Sequence, residues 1–129
     1  MVLPRVLAMI MCDDVVEADE EADVFHLTGA RTVIEASSLP TVHSFCVFVQ
    51  MSGHQGEASC HVIIVSSESA DVIGEADSQM IAFEDPRIAV SAVFHIASCV
   101  FATPGLCYVE IYHERKLIGE RRLYIRLED

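Results

Sequence analysis

Short apolar runs, each closed by turn formers, recur along the whole chain at a spacing that predicts β-strands. The first, Arg5 to Cys12, is continuous rather than alternating, as expected of a strand covered on both faces. The acidic segment Asp13 to Asp23 follows and reads as a solvated loop. Phe25 to Ala36 is the second run, with Gly29 marking a bulge or bend before Ser37–Pro40 closes it. Val42 to Met51 places Phe45, Val47, Val49 and Met51 on one side and Cys46 and Phe48 on the other, so both faces should be covered. The sequence Gly53-His54-Gln55-Gly56 predicts a tight hairpin into a fourth strand, Ala58 to Ser66.

The second half repeats the pattern. Val72 to Phe83 is a weaker run interrupted by Gly74, as an edge strand would be, and Glu84–Arg87 terminates it. Ile88 to Phe101 has Ile88, Val90, Ala92, Phe94 and Ile96 in phase on one face, with Val93, Ala97, Ser91 and His95 on the other. Its β-branched and aromatic residues favour a strand over a helix. Leu106 to His113 then pairs with Leu117 to Leu127 through a short polar link at Glu114–Lys116. Period-two alternation groups Leu117, Leu123, Ile125 and Leu127 against Arg122, Tyr124 and Arg126. The expected fold is all-β: a single antiparallel sandwich domain over residues 1–129, of about seven to eight strands.

Charge narrows the partners. Twenty acidic against eight basic side chains give a formal charge of −12, which repels phosphate backbones and anionic lipid surfaces. No nucleic-acid or membrane role is expected. The two signs are segregated: Asp13 to Asp23 holds seven acids, whereas Arg115, Lys116, Arg121, Arg122 and Arg126 lie in the last fifteen residues. The apolar run Val6–Met11 is shorter than a signal-peptide core and Met11 precedes Cys12 where a lipoprotein signal needs a small residue, so a cytoplasmic setting is expected. The odd set Cys12, Cys46, Cys60, Cys99 and Cys107 reads as buried free thiols, with a Cys99–Cys107 disulfide the minor alternative.

Two local patterns resemble known families. Phe101–Tyr108 (FATPGLCY), leading into Val109–Tyr112, resembles the Pro-Gly-x-x-Tyr strand entry of immunoglobulin-like sandwiches, which implies that fold and a corner position between sheets for Tyr108. Those domains usually have one residue between the glycine and the tyrosine; here there are two. The chain has no tryptophan, so it is not antibody-type. Across nearly its whole length the chain also resembles an uncharacterised domain-of-unknown-function family of short bacterial proteins. The matching pieces are Ala8–Asp14 (AMIMCDD), Leu27–Ala30 (LTGA), Leu39-Pro40 followed by Val42-His43, and Leu117–Arg122 (LIGERR). That resemblance implies an immunoglobulin-like fold and assigns no activity.

Candidate chemistry is sparse. Phosphate-binding glycine loops, H-E-x-x-H, C-x-x-C and G-x-S-x-G are absent. Cys60 and His61 are neighbours on a strand and point to opposite faces, so they make neither a zinc pair nor a nucleophile–base pair without a bulge. His26, His43, His95 and His113 stand alone on separate strands. Asp13, Asp14, Asp19, Glu20, Glu21 and Asp23 lack the alternation and glycine of a calcium loop, and Cys12 beside Asp13 and Asp14 has its thiolate disfavoured. No catalytic, cofactor or metal residue is expected. The favoured reading is a non-catalytic protein-interaction module, able to form a homodimer, with Asp19, Glu20 and Glu21 as candidate partner contacts. The alternative is a small-molecule- or metal-binding, possibly enzymatic, sandwich.

Overall fold

The computed structural model describes residues 2–128, and in them the chain forms eleven strands and no α-helix. They are β1 (Arg5–Cys12), β2 (Asp14–Glu17), β3 (Phe25–Thr28), β4 (Val33–Ala36), β5 (Thr41–Ser52), β6 (Gly56–Ser66), β7 (Val72–Glu75), β8 (Gln79–Phe83), β9 (Val90–Phe101), β10 (Gly105–His113) and β11 (Lys116–Leu127). A three-stranded sheet, β1-β5-β9, packs on a six-stranded sheet ordered β4-β11-β10-β6, with β7 and β8 both on the far edge of β6. All pairings are antiparallel except β4 on β11, which is parallel. No helix here is long and apolar enough to cross a membrane.

The core lies between the two sheets and forms one connected cluster. Val47, Val49, Met51, Phe94, Ile96 and Phe101 of the smaller sheet meet Val62, Ile64, Val109, Ile111, Leu123 and Ile125 of the larger, each essentially without solvent contact. Burying such a side chain contributes about 1.5–3 kcal/mol. Close backbone approach seals both sides of the sandwich. A side chain at Gly74 on β7 would place its Cβ 2.8 Å from the Cys99 sulfur on β9. One at Gly119 on β11 would come within 2.9 Å of Val6 on β1.

Several expectations change in detail. The acidic segment is not all loop: Asp14–Glu17 pairs with Phe25–Thr28 as a separate hairpin, in which half-buried Val15 lies opposite half-buried Leu27. The run Phe25–Ala36 is two strands broken at Gly29, whose φ is +68°. Gly53–Gly56 reverses the chain but makes no hairpin, since β5 and β6 lie in different sheets. Val72–Phe83 is indeed an edge, divided into β7 and β8. The run Arg5–Cys12 is covered on both faces only toward its end, where Met11 and Cys12 are buried; Leu7 and Ile10 are exposed. Ile88 lies outside its strand, 61% exposed in a turn closed by its N–H to the Asp85 carbonyl.

Bulges account for the remaining differences. In β9 the phase flips around Ser98, at φ +57°, so Cys99 and Phe101 join Phe94 and Ile96 in the core. In β11 an extra residue at Ile118 turns Ile118 toward the core and leaves Leu117 47% exposed. Leu127 keeps the phase of Ile125 but lies beyond the sheet's covered part.

Candidate functional site

Alternation along β10 buries Cys107, Val109, Ile111 and His113 and turns Leu106, Tyr108, Glu110 and Tyr112 to the outer face of the larger sheet. The flanking strands fix what lies beside them. Tyr108 sits between Arg122 on β11 and Val65 on β6, and Glu110 between Glu120 and Ile63. Ile63 is in turn paired with Glu75 of β7. Tyr112 lies between Leu117 and His61, and its ring stacks on the imidazole at 5.4 Å between centroids, 16° from parallel. Tyr124 is opposite Leu106 and beside Val33. All three tyrosines therefore occupy one face.

That face carries Glu75, Glu110 and Glu120, with Arg122 beside Tyr108. Glu110 lies directly opposite Glu120, an arrangement of like charges that disfavours the pairing. Among the described residues neither carboxylate forms an ion pair; the three present are Arg31–Asp13, Arg87–Asp85 and Arg126–Glu35. The Tyr112 hydroxyl donates to Glu110 Oε1 at 3.0 Å. Burial, that hydrogen bond and the charges of Glu110 and Glu120 all raise the Tyr112 phenol above its ordinary value.

Tyr108 is not at a corner between sheets as the strand entry implied. The second residue between Gly105 and Tyr108 shifts the phase by one, so Cys107 takes the inward position and Tyr108 the outward one.

Asp19, Glu20 and Glu21 lie in the exposed turn between β2 and β3, away from this face. The hairpin that carries them folds over the smaller sheet, with the Phe25 ring on Phe48 at 5.3 Å. Phe48 is thus covered by the chain's own hairpin. The acidic turn forms no ion pair with the basic residues of β11 among the described residues.

The five cysteines are buried free thiols. Burial pushes Cys60 up to about 11 and, with the neighbouring Cys107, Cys99 up to about 12. Cys12 rises to about 11 through burial, then Cys46, then Asp13 and Asp14. One thiol meets a base: Cys46 Sγ lies 3.4 Å from His95 Nδ1, its partner across the β5–β9 ladder. Burial and the charge of Asp14 raise this thiol, the reverse of what a nucleophile requires.

A second pair was not foreseen: His54 packs edge-on against His113 at 5.6 Å. His54 lies between the carbonyls of Val2 (2.9 Å) and Glu57 (3.2 Å), and His113 Nδ1 donates to Ser59 O at 3.0 Å. His113 Nε2 is buried without a partner among the described residues. No group of three or more His, Cys, Asp or Glu in those residues is placed to hold a metal ion.

A cleft of about 720 Å³ opens where β1 approaches β4 and β11, lined by Met9, Met11, Val33, Arg121, Arg122 and Tyr124 among others.

Fold and site together define a small all-β sandwich domain. The chain belongs to a family of unknown function (DUF6941), whose profile matches residues 7–126. No curated protein matches it in sequence. Among solved structures, a β-glucosidase from Listeria innocua in complex with isofagomine shares the fold at TM-score 0.53 and 8% identity, over 98% of this chain and 16% of the glucosidase. An immunoglobulin-like protein from Pseudomonas aeruginosa aligns at TM-score 0.43 and 14% identity, over 96% of this chain and 97% of that one. A Pseudomonas fluorescens alkylpurine DNA glycosylase bound to abasic-site DNA aligns at TM-score 0.42 and 11% identity, over 95% of this chain and 30% of the glycosylase. This chain thus spans less than a third of the glucosidase or the glycosylase.

Proposed function

We propose that the protein is a non-catalytic interaction module that captures a basic segment of a partner protein on the tyrosine-bearing face of its larger sheet. The supporting observation is the Glu110–Glu120 pair between the rows of Tyr108 and Tyr112, to which no cation is paired among the described residues. A lysine or arginine side chain laid between the carboxylates would relieve their repulsion and meet aromatic faces on either side. Tyrosine supplies large contact area at little entropic cost, and Ile63, Val65 and Leu106 supply apolar surface around it. The charge of −12, to which Asp19, Glu20 and Glu21 contribute, steers such a partner from a distance. Five free thiols are in keeping with a reducing, cytoplasmic setting. Self-association, the companion part of this reading, would use the bare end of the smaller sheet, where exposed Val42 pairs opposite exposed Val100.

Fluorescence anisotropy with a labelled oligolysine peptide tests the docking face. Glu110→Gln/Glu120→Gln should weaken binding about tenfold, whereas Asp19→Asn/Glu20→Gln, with the same change in net charge, should weaken it only slightly. Equal losses in the two variants would mean that general charge, not this face, binds the peptide.

A further inference from the structure

The cleft between β1 and the β4–β11 edge has a composition unlike the rest of the surface. The chain carries only eight lysines and arginines, yet Arg31, Arg121 and Arg122 all line this one opening. Arg31 is committed to Asp13 at 2.6 Å. Arg121 donates to the Glu120 backbone carbonyl at 2.8 Å, and neither Arg121 nor Arg122 forms an ion pair among the described residues. Two guanidinium groups without carboxylate partners among the described residues therefore border the cleft in a strongly negative protein.

The rest of the lining is apolar. Met9 and Met11 are buried at the edge of β1, and Val33 and Tyr124 close the opposite side. Methionine adapts its shape to what it packs against. β1 is hydrogen-bonded along one side only, to β5; among the described residues its outer side takes a single backbone bond, from Arg31 N–H to the Met11 carbonyl at 2.9 Å. The volume of about 720 Å³ falls within the range of small-molecule sites.

We infer that this cleft binds a small carboxylate with an apolar body, such as a medium-chain or aromatic acid. Its carboxylate would lie across the edge of β11, where Arg121 and Arg122 leave the strand on opposite faces and each guanidinium donates to it. Its apolar body would lie along Met9, Met11 and Val33, with the Tyr124 ring as a wall. The charge complementarity selects an anion, and the apolar walls select against a bare inorganic one.

The probe is sodium decanoate, with decanol as its uncharged counterpart, read from the methionine methyl signals of the full chain by NMR. Met9 and Met11 report on the cleft, Met51 on the core, and exposed Met80 on β8 on non-specific adsorption. Decanoate should shift Met9 and Met11 saturably and leave Met80 unmoved. Arg121→Gln/Arg122→Gln should weaken decanoate binding about tenfold or more while changing decanol binding little. Circular dichroism of the variant checks that the sheets persist. Equal shifts at Met80, equal affinity for acid and alcohol, or an unchanged affinity in the double variant would each overturn the inference. So would saturable binding of an acidic peptide without any of decanoate.

Discussion

Glu110 on β10 and Glu120 on β11 are paired residue to residue, two carboxylates across one ladder with no cation paired to either among the described residues. A sheet selected for stability alone would place opposite charges or a threonine there. Glu120→Gln should therefore stabilise the isolated protein by about 0.2–1 kcal/mol while weakening capture of a basic peptide. Urea denaturation checks the first half; a loss of stability would show that the pair is already relieved within the chain.

Kinetics should separate the docking face from the acidic turn. Neutralising Asp19, Glu20 and Glu21 should slow association with a basic peptide and flatten its salt dependence while leaving dissociation unchanged. Glu110→Gln should act mainly on dissociation. Stopped-flow measurements at two ionic strengths check this, and an unchanged association rate for the turn variant would remove its steering role.

The raised thiols set an alkaline limit on stability. Cys60 at about 11 and Cys99 at about 12 hold their protons in the folded chain above the ordinary value of 9.0. Below pH 9 both folded and unfolded chains keep these protons, and the stability is fully present. Above it the unfolded thiols ionise first, so stability should fall as pH rises from 9 toward 11–12, by up to about 1.4 kcal/mol per pH unit for each thiol. Chemical denaturation across that window checks the slope, which should be shallower for Cys60→Ala. At pH 8 a thiol reagent should leave the native protein unmodified and label all five cysteines once it is unfolded.

Gly74 marks the place where β7 touches β9. Gly74→Ala drives a methyl group into the Cys99 side chain and should cost about 1–3 kcal/mol, read as a lowered Tm. If Cys99→Ala restored that loss, the clash itself would be established as the cause; wild-type stability in Gly74→Ala would show that the strands can part at no cost.

Strand content was legible because apolar runs closed by turn formers, and alternation within them, need no knowledge of the fold. Arg5–Cys12 was delimited to the residue, and Val42–Met51 with its two covered faces lies within β5. What alternation cannot show is which strands pair. The glycines at positions 53 and 56 promise a reversal, and the same turn serves a hairpin or a crossing between sheets. Bulges are equally silent: one inserted residue at Ile118 moves Leu117 from the expected core group to the surface. The Glu110–Glu120 pair was within reach, since the predicted β10–β11 hairpin sets the register that places them opposite each other. The Arg121–Arg122 cleft and the His54–His113 contact were not, because each joins segments distant in sequence. The Cys46–His95 approach likewise depends on β5 pairing with β9.

Backbone chemical-shift mapping with the oligolysine peptide tests the central claim most directly. The largest shifts should fall at Ile63, Val65, Tyr108, Glu110, Tyr112 and Glu120 and saturate together. Shifts concentrated at residues 18–24, or spread over every acidic position alike, would contradict it.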